Sequence, residues 1–275
     1  MSQVAAFYNS NTYPAIGKKG IYTYAKMKRN LFQKLNLDFS YFKGKRILEA
    51  GSGTGESTLI YHYFKPKEII GIDIAENSIE KAKHLASELN IDAGFKTLDL
   101  MEVGKLGKVF DFIMCEVLHQ TENPIAGLGA LNNILKPNGL IVIAVAHKYG
   151  NLIDPIKRKF IEMLAMGDKD KVYHLAKKFF FNDCFKNKKV RGIRIKDYAN
   201  LDSLIADIYI HPRRKNISND ELLRWLKEYN LKFISSYPRI NFGIEQPTFI
   251  SKIKGNFSLL FSDEYHISVL ARKQV

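Results

Sequence analysis

The order of apolar and polar positions divides the chain into a strand-rich middle and helical flanks. Between residues 46 and 147, short apolar runs alternate with longer stretches of helical periodicity. The runs predict strands at 46–50, 68–74, 95–98, 110–115 and 140–146, and the longer stretches predict helices at 56–64, 77–89 and 124–135. Apolar strands that alternate with amphipathic helices indicate a parallel sheet covered on both faces. The sequence therefore predicts a doubly wound, mostly parallel α/β sheet.

The pattern becomes mainly helical after residue 147 and returns to strands near the end. Helices are predicted at 154–165, 169–180, 198–208 and 219–229, and strands at 232–237 and 265–272. The final strands complete a seven-stranded sheet. We therefore divide the chain into an N-terminal arm (1–45), a core (46–147), a helical insertion (148–230) and the final strands (231–275).

Capping signals support two of these helices. Asn77 is followed by Glu80, and Ser218 is followed by Glu221, which is the spacing of a capping box. The apolar stripe of the helix after Ser218 indicates a buried face.

The formal net charge of +14 is unevenly distributed: +7 over residues 1–45, −4 over 46–147 and +11 over 148–254. Basic blocks favour anionic partners such as RNA, phosphorylated metabolites or lipid headgroups. A solvated lysine-rich surface is the alternative.

The longest apolar run, 140–146, is too short to cross a bilayer, and the first residues do not have the pattern of a secretory leader. Cys115 and Cys184 lack the spacing of a metal site, so we expect free thiols, no metal and a cytoplasmic protein.

A glycine-rich turn follows the first predicted strand, with Gly51, Gly53 and Gly55 in alternate positions. Such a turn lets backbone amides approach a ligand at the carboxyl edge of the sheet. The dinucleotide fingerprint needs glycine at position 56, but the residue there is Glu56. Because a carboxylate at this helix start disfavours a pyrophosphate, the expected ligand is uncharged or positive here.

Four acids end four successive predicted strands: Glu49, Asp73, Asp99 and Glu116. Carboxylates at these positions suit a ligand with ribose hydroxyls and positive charge.

Five segments together resemble the class I S-adenosylmethionine-dependent methyltransferases. They are ILEAGSGTG (47–55), GIDI (71–74), TLDL (97–100), FDFIMCEVLH (110–119) and LKPNGL (135–140). The resemblance implies a Rossmann-like sheet and S-adenosylmethionine as the cofactor. It also implies a cofactor site built from Glu49, Gly51, Ser52, Gly53, Asp73, Ile74, Asp99, Leu100 and Glu116. There Asp73 would bind the ribose, and Ile74 and Leu100 would flank the adenine.

Residues for the acceptor lie outside these motifs. His119 and His211 are the candidate catalytic groups, since an acceptor hydroxyl benefits from a base. Tyr8, Tyr13 and Arg213 are the candidate substrate-binding residues. Each of the five also fits a purely structural role.

The interpretation is methyl transfer to a small-molecule or lipid-like acceptor. Glu116-Val117-Leu118-His119 replaces the Asn-Pro-Pro-Tyr type of motif, which argues against amino-group and base methyltransferases. Two alternatives stay open: an RNA methyltransferase that uses the basic blocks, and a regulatory protein that binds the cofactor without catalysis.

Overall fold

The computed structural model describes residues 3–11, 17–148, 153–180, 189–190, 193–194, 200–212, 215–239 and 266–275. Seven strands in these residues form one sheet: β1 (Arg46–Ala50), β2 (Glu68–Asp73), β3 (Gly94–Thr97), β4 (Phe110–Cys115), β5 (Leu135–Ala146), β6 (Leu231–Tyr237) and β7 (His266–Lys273). Their order is β3-β2-β1-β4-β5-β7-β6. The pairs among β1 to β5 are parallel, whereas β7 is antiparallel to both its neighbours. The predicted fold class is confirmed.

The helices are α1 (Gln3–Ser10), α2 (Lys18–Lys34), α3 (Glu56–Leu59), α4 (Glu76–Glu88), α5 (Pro124–Ile134), α6 (Ile153–Ala165), α7 (Lys169–Phe180), α8 (Leu201–Ile205) and α9 (Asn219–Glu228). Short 3-10 helices lie at Phe39–Phe42, Ile60–Phe64, Leu100–Leu106 and Leu118–Gln120, and a π-helical turn, Ala206–Ile210, follows α8. Lys189–Val190 and Ile193–Arg194 pair separately from the main sheet.

Both faces of the sheet are buried, which explains the continuous apolar runs. On β4, Phe112 belongs to the apolar cluster on one face and Ile113 to the cluster on the other. Phe32 of α2 packs into the Phe112 cluster, and Trp225 of α9 packs into the Ile113 cluster. The predicted buried stripe of α9 is therefore confirmed. Cys115 is a buried free thiol, and burial raises its pKa to about 12.

The end of the helical segment after β5 is part of the main core. Helices α6, α7 and α8 share a smaller apolar cluster, whereas α9 packs on the sheet. Ser218 caps α9 as predicted, since its hydroxyl accepts a hydrogen bond from the amide of Glu221. No helix in the described ranges is long and apolar enough to cross a membrane.

Several predicted boundaries were wrong. Helix α4 begins at Glu76, so Asn77 is not its cap but donates from Nδ2 to the carbonyl of Asn9 at 2.9 Å. The predicted helix 56–64 is a short α3 continued by a 3-10 helix, and 198–208 is mostly α8 and the π-helical turn. Strand β5 already begins at Leu135, which pairs with Phe110. At Asn77 a tertiary contact with α1 thus replaces the predicted local cap.

Candidate functional site

A cavity of about 560 Å³ lies at the carboxyl ends of β1, β2 and β4. All nine residues predicted for the cofactor line it: Glu49, Gly51, Ser52, Gly53, Asp73, Ile74, Asp99, Leu100 and Glu116. Among the described residues that line it are six carboxylates and one lysine. The cavity therefore favours a ligand with positive charge.

Two glycines of the turn have different surroundings and different roles. Gly51 has φ +84°, and a Cβ there would lie 2.4 Å from Cγ1 of Val117, so only glycine fits. Gly53 has φ +52°, and a Cβ added there would meet no atom within 4 Å. The backbone at Gly53 thus leaves space for a ligand, whereas Gly51 allows the turn to pack against the loop after β4.

Asp73 is fixed by backbone amides at the end of β2. Its Oδ2 accepts from the amide of Gly53 at 2.9 Å, and its Oδ1 accepts from the amide of Ala75 at 2.9 Å. Desolvation raises the pKa of Asp73, against the lowering effect of these hydrogen bonds. Each oxygen has a second lone pair, so the carboxylate can still accept bonds from ligand hydroxyls.

Asp99 caps the 3-10 helix after β3. Its Oδ1 accepts from the amide of Met101 at 2.9 Å, which holds the carboxylate at the edge of the cavity. Leu100 is buried next to it, and Ile74 lies half-buried after β2. The three side chains together line the part of the cavity next to β2 and β3.

Glu49 forms a buried ion pair that sequence analysis missed. Lys28 of α2 donates from Nζ to Glu49 Oε2 at 2.7 Å, and Ser57 donates from Oγ to Glu49 Oε1 at 2.7 Å. Lys28 Nζ also donates to the Ser57 carbonyl at 2.9 Å and lies 3.9 Å from the centre of the Tyr61 ring. Burial lowers the pKa of Lys28 despite the attraction of Glu49. Both carboxylate oxygens of Glu49 thus have protein donors.

Glu56 connects the glycine turn to the start of α2. Its Oε2 accepts from the hydroxyl of Thr54 at 2.5 Å, and its Oε1 accepts from the amide of Gly17 at 2.9 Å. The carboxylate that replaces a fingerprint glycine is therefore a bridge between two segments that border the cavity.

Helix α1 also lines the cavity, through Gln3, Val4 and Tyr8. The Tyr8 hydroxyl lies 2.7 Å from Asp207 Oδ1, to which it donates, and 3.2 Å from Gln120 Oε1. His211 does not line the cavity but is buried, with its ring centre 5.4 Å from that of Tyr8. The catalytic role of His211 stays a prediction, and in the structure its ring packs against that of Tyr8. Tyr13 and Arg213 lie outside the described residues.

His119 lies in the cavity beside a second histidine that sequence analysis missed. His119 is buried, and its ring centre is 5.4 Å from that of His266, the first residue of β7. Both rings line the cavity. The only sequence signal for His266 is its place at the start of the last strand. Among the described residues, no group of acidic, histidine or cysteine side chains could hold a metal ion.

A family model described as a methyltransferase domain matches residues 42–228. The chain belongs to this family, which confirms its resemblance to the class I S-adenosylmethionine-dependent methyltransferases. The cofactor of that class is S-adenosylmethionine.

Two curated relatives and one solved structure illustrate the similarity. An uncharacterized protein of Synechococcus sp. is 30% identical over 199 residues, covering 69% of this chain and 48% of that protein. A ubiquinone biosynthesis O-methyltransferase of Cereibacter sphaeroides is 28% identical over 108 residues, covering 39% of this chain and 43% of that enzyme. The chain spans about half the length of these curated relatives.

The solved structure is PKMT2 from Rickettsia typhi in complex with AdoHcy. It matches with a TM-score of 0.62 at 17% identity, covering 86% of this chain and 51% of that chain. At this identity the likeness establishes a shared fold.

Proposed function

We propose that this chain transfers a methyl group from S-adenosylmethionine to a small-molecule or lipid-like acceptor. The observation that carries the proposal is the acidic cavity at the strand ends, where open space at Gly53 adjoins the carboxylate of Asp73. A ligand with a sulfonium and an ammonium group suits a cavity with this excess of carboxylates.

The residues fit the parts of the cofactor. Asp73 is placed to accept bonds from the ribose hydroxyls, because each of its oxygens has a lone pair beyond the one used by a backbone amide. Ile74 and Leu100 supply apolar contacts for the adenine, and Asp99 supplies an acceptor for its amino group. We assign Glu116 and the glycine turn to the methionine end of the cofactor.

When bound, S-adenosylmethionine would supply the methyl group, which would pass in line from its sulfonium to the acceptor as the carbon–sulfur bond breaks and S-adenosylhomocysteine leaves. The protein has to orient the acceptor and exclude water. In this proposal Tyr8 orients it, since Tyr8 lines the cavity and its hydroxyl is itself held by hydrogen bonds to Asp207 and Gln120. His119 is placed to take a proton if the acceptor is a hydroxyl.

The cavity favours a small acceptor. Its volume of about 560 Å³ is within the usual range for small-molecule sites and has to hold the acceptor together with the cofactor. Its apolar lining includes Val4, Met27, Leu31 and Ala144. In this proposal, α1 and the insertion cover the acceptor, since Tyr8 and Asp207 join them. The relative named for ubiquinone biosynthesis supports a lipid-like acceptor.

Titration calorimetry with S-adenosylhomocysteine tests the cofactor site. We expect binding by the wild-type chain, a loss of at least tenfold in affinity in Asp73→Asn, and no change in Asp92→Asn, an exposed control. Absence of binding by the wild type would overturn the proposal.

Radiolabelled S-adenosylmethionine and a cell extract, separated into small-molecule, lipid, RNA and protein fractions, test the acceptor class. Label in the small-molecule or lipid fraction that disappears in Asp73→Asn is expected. Label in RNA would instead support the RNA alternative. Cofactor binding without label in any fraction would support the regulatory alternative.

A further inference from the structure

Helices α6 and α7 expose a group of large apolar side chains. Each of them is at least 40% exposed: Ile156, Phe160, Met163, Leu164, Met166 and Phe179. The first four have helical i, i+4, i+7, i+8 spacing, so they lie on one face of α6. The ring centres of Phe160 and Phe179 lie 6.2 Å apart, which joins both helices in one surface. We call these six side chains the apolar hairpin face.

The buried cluster that the described residues of the two helices form does not include this face. Ile161 and Ala165 of α6 are fully buried, and they pack in one cluster with Val172 and Ala176 of α7. The hairpin therefore has a separate buried side that holds it to the protein. The exposed apolar side chains add nothing to that cluster.

Met166, between the two helices, is the clearest case. It has φ +51° and is 88% exposed. The other non-glycine residues described with positive φ are Asn36, Asn90, Asn138, Asn230 and Lys65. Asparagine tolerates this conformation because its side chain bonds locally, whereas methionine has no such compensation. A large apolar side chain at a strained and exposed position points to a binding role.

Basic side chains border the face. Lys159 and Lys178 are exposed, and Lys178 Nζ lies 6.0 Å from the centre of the Phe179 ring. Residues 153–180, which form the two helices and their connection, contain seven Lys or Arg and four Asp or Glu, a net charge of +3. Apolar side chains with a lysine border are complementary to a bilayer surface with anionic headgroups. We propose that the apolar hairpin face docks this chain on an anionic lipid bilayer.

The cavity borders the buried side of the hairpin, so docking at this face would leave the helices α6 and α7 between the lipid and the cavity. Tyr24 and Met27 of α2 pack against the buried cluster that α6, α7 and α8 share, and they also line the cavity. Arg158 of α6 donates from Nη2 to the carbonyl of His211 at 2.9 Å, which ties the hairpin to the α1 side. This inference goes beyond the proposed function, and it stands on separate contacts.

Co-sedimentation of the full chain with vesicles tests the charge requirement. We expect binding to vesicles of phosphatidylcholine and phosphatidylglycerol in a 7:3 ratio, and much weaker binding to phosphatidylcholine alone. Lys159→Gln/Lys178→Gln should lower the affinity for the anionic vesicles by roughly 25-fold, since each lysine near such a surface adds about fivefold. Absence of binding to the anionic vesicles, or equal binding to both kinds, would overturn the proposal.

Met166→Asn tests the apolar contact without damage to the fold. Asparagine relieves the backbone strain, so we expect a Tm equal to or above that of the wild type and at least a fivefold loss of vesicle binding. The control is Tyr63→Ser, which removes an aromatic side chain that is 64% exposed outside the hairpin. Equal loss in the control would overturn the assignment of the face. The proposal would also be overturned if the wild type formed a dimer that did not bind vesicles and that Met166→Asn dissociated. The face would then contact a second copy of the chain. None of these readouts depends on methyl transfer.

Discussion

The two sides of the cavity are built by different kinds of contact. On the strand-end side, Asp73 accepts from the amides of Gly53 and Ala75, which are 20 and 2 residues away in sequence. On the α1 side, Tyr8 bonds to Gln120 and Asp207, which are 112 and 199 residues away. At Asp73 the first side is therefore set by backbone amides, whereas at Tyr8 the second side is set by side chains from distant segments.

The difference fits the proposed function, in which the two sides would have separate tasks. Backbone contacts change little when surface side chains change, which suits a site for a constant cofactor. Side-chain contacts between distant segments can be altered without disturbing the sheet, which suits recognition of an acceptor. The comparison predicts that substitutions on the strand-end side mainly cost stability and cofactor affinity, whereas those on the α1 side have milder effects.

The largest effect is expected at the buried ion pair. Lys28→Met leaves Glu49 buried without its amine, so the free energy of unfolding should fall by about 3–5 kcal/mol. Denaturant unfolding measures it. Lys28→Met/Glu49→Gln should recover part of the loss, and the exposed control Lys105→Met should cost less than about 1 kcal/mol. A loss in Lys28→Met no larger than that of the control would contradict the expectation.

The next effect is at the glycine turn. Gly51→Ala places a methyl group 2.4 Å from Val117 at φ +84°, and the free energy of unfolding should fall by about 2–4 kcal/mol. Gly107→Ala has φ +62° with open space around the methyl group, so it should cost only about 1–2 kcal/mol. Because Val117→Ala removes the side chain that the new methyl group meets, Gly51→Ala/Val117→Ala should lose no more unfolding free energy to the glycine substitution than Gly107→Ala does. Equal costs at Gly51 and Gly107 would show that the close contact is unimportant.

The third effect is a pH dependence of the unfolding free energy at His147, the residue that follows β5. His147 Nε2 lies 2.9 Å from Asn219 Oδ1, and burial lowers the pKa of His147 from 6.5 to about 4. As the pH falls from 6.5 to 4, the unfolded chain binds a proton that the folded chain does not, so stability is lost over this window. The loss should be roughly 2 to 3 kcal/mol.

Denaturant unfolding at several pH values measures this loss. The unfolding free energy of His147→Gln should change less with pH over the same window, because glutamine does not titrate. The same pH slope in the variant and the wild type would assign the effect to another group.

The smallest effect is expected on the α1 side. Tyr8→Phe removes the hydroxyl that donates to the buried carboxyl group of Asp207, which should cost about 2 kcal/mol of unfolding free energy. S-adenosylhomocysteine should bind severalfold more weakly, since α1 then covers the cavity less firmly. Calorimetry measures the affinity, with Tyr22→Phe, 80% exposed, as control. An unchanged affinity would show that α1 contributes nothing to holding the cofactor.

The sequence by itself determined the sheet and the order of its chemical groups. The apolar runs predicted the strands, because strands buried on both faces need apolar side chains at successive positions. The turn at Gly51 and Gly53 and the carboxylates Asp73 and Asp99 followed from their places at strand ends, since parallel strands bring those ends to one edge. All of these residues line one cavity.

Only the tertiary structure decided which distant groups meet there. Lys28 reaches Glu49 because α2 packs on the sheet, and His266 reaches His119 because β7 lies next to β5. Tyr8 meets Asp207 through the packing of α1 on the insertion. Local patterns encode backbone conformation over a few residues. Contacts between segments depend on how whole helices and strands pack, which no local pattern specifies.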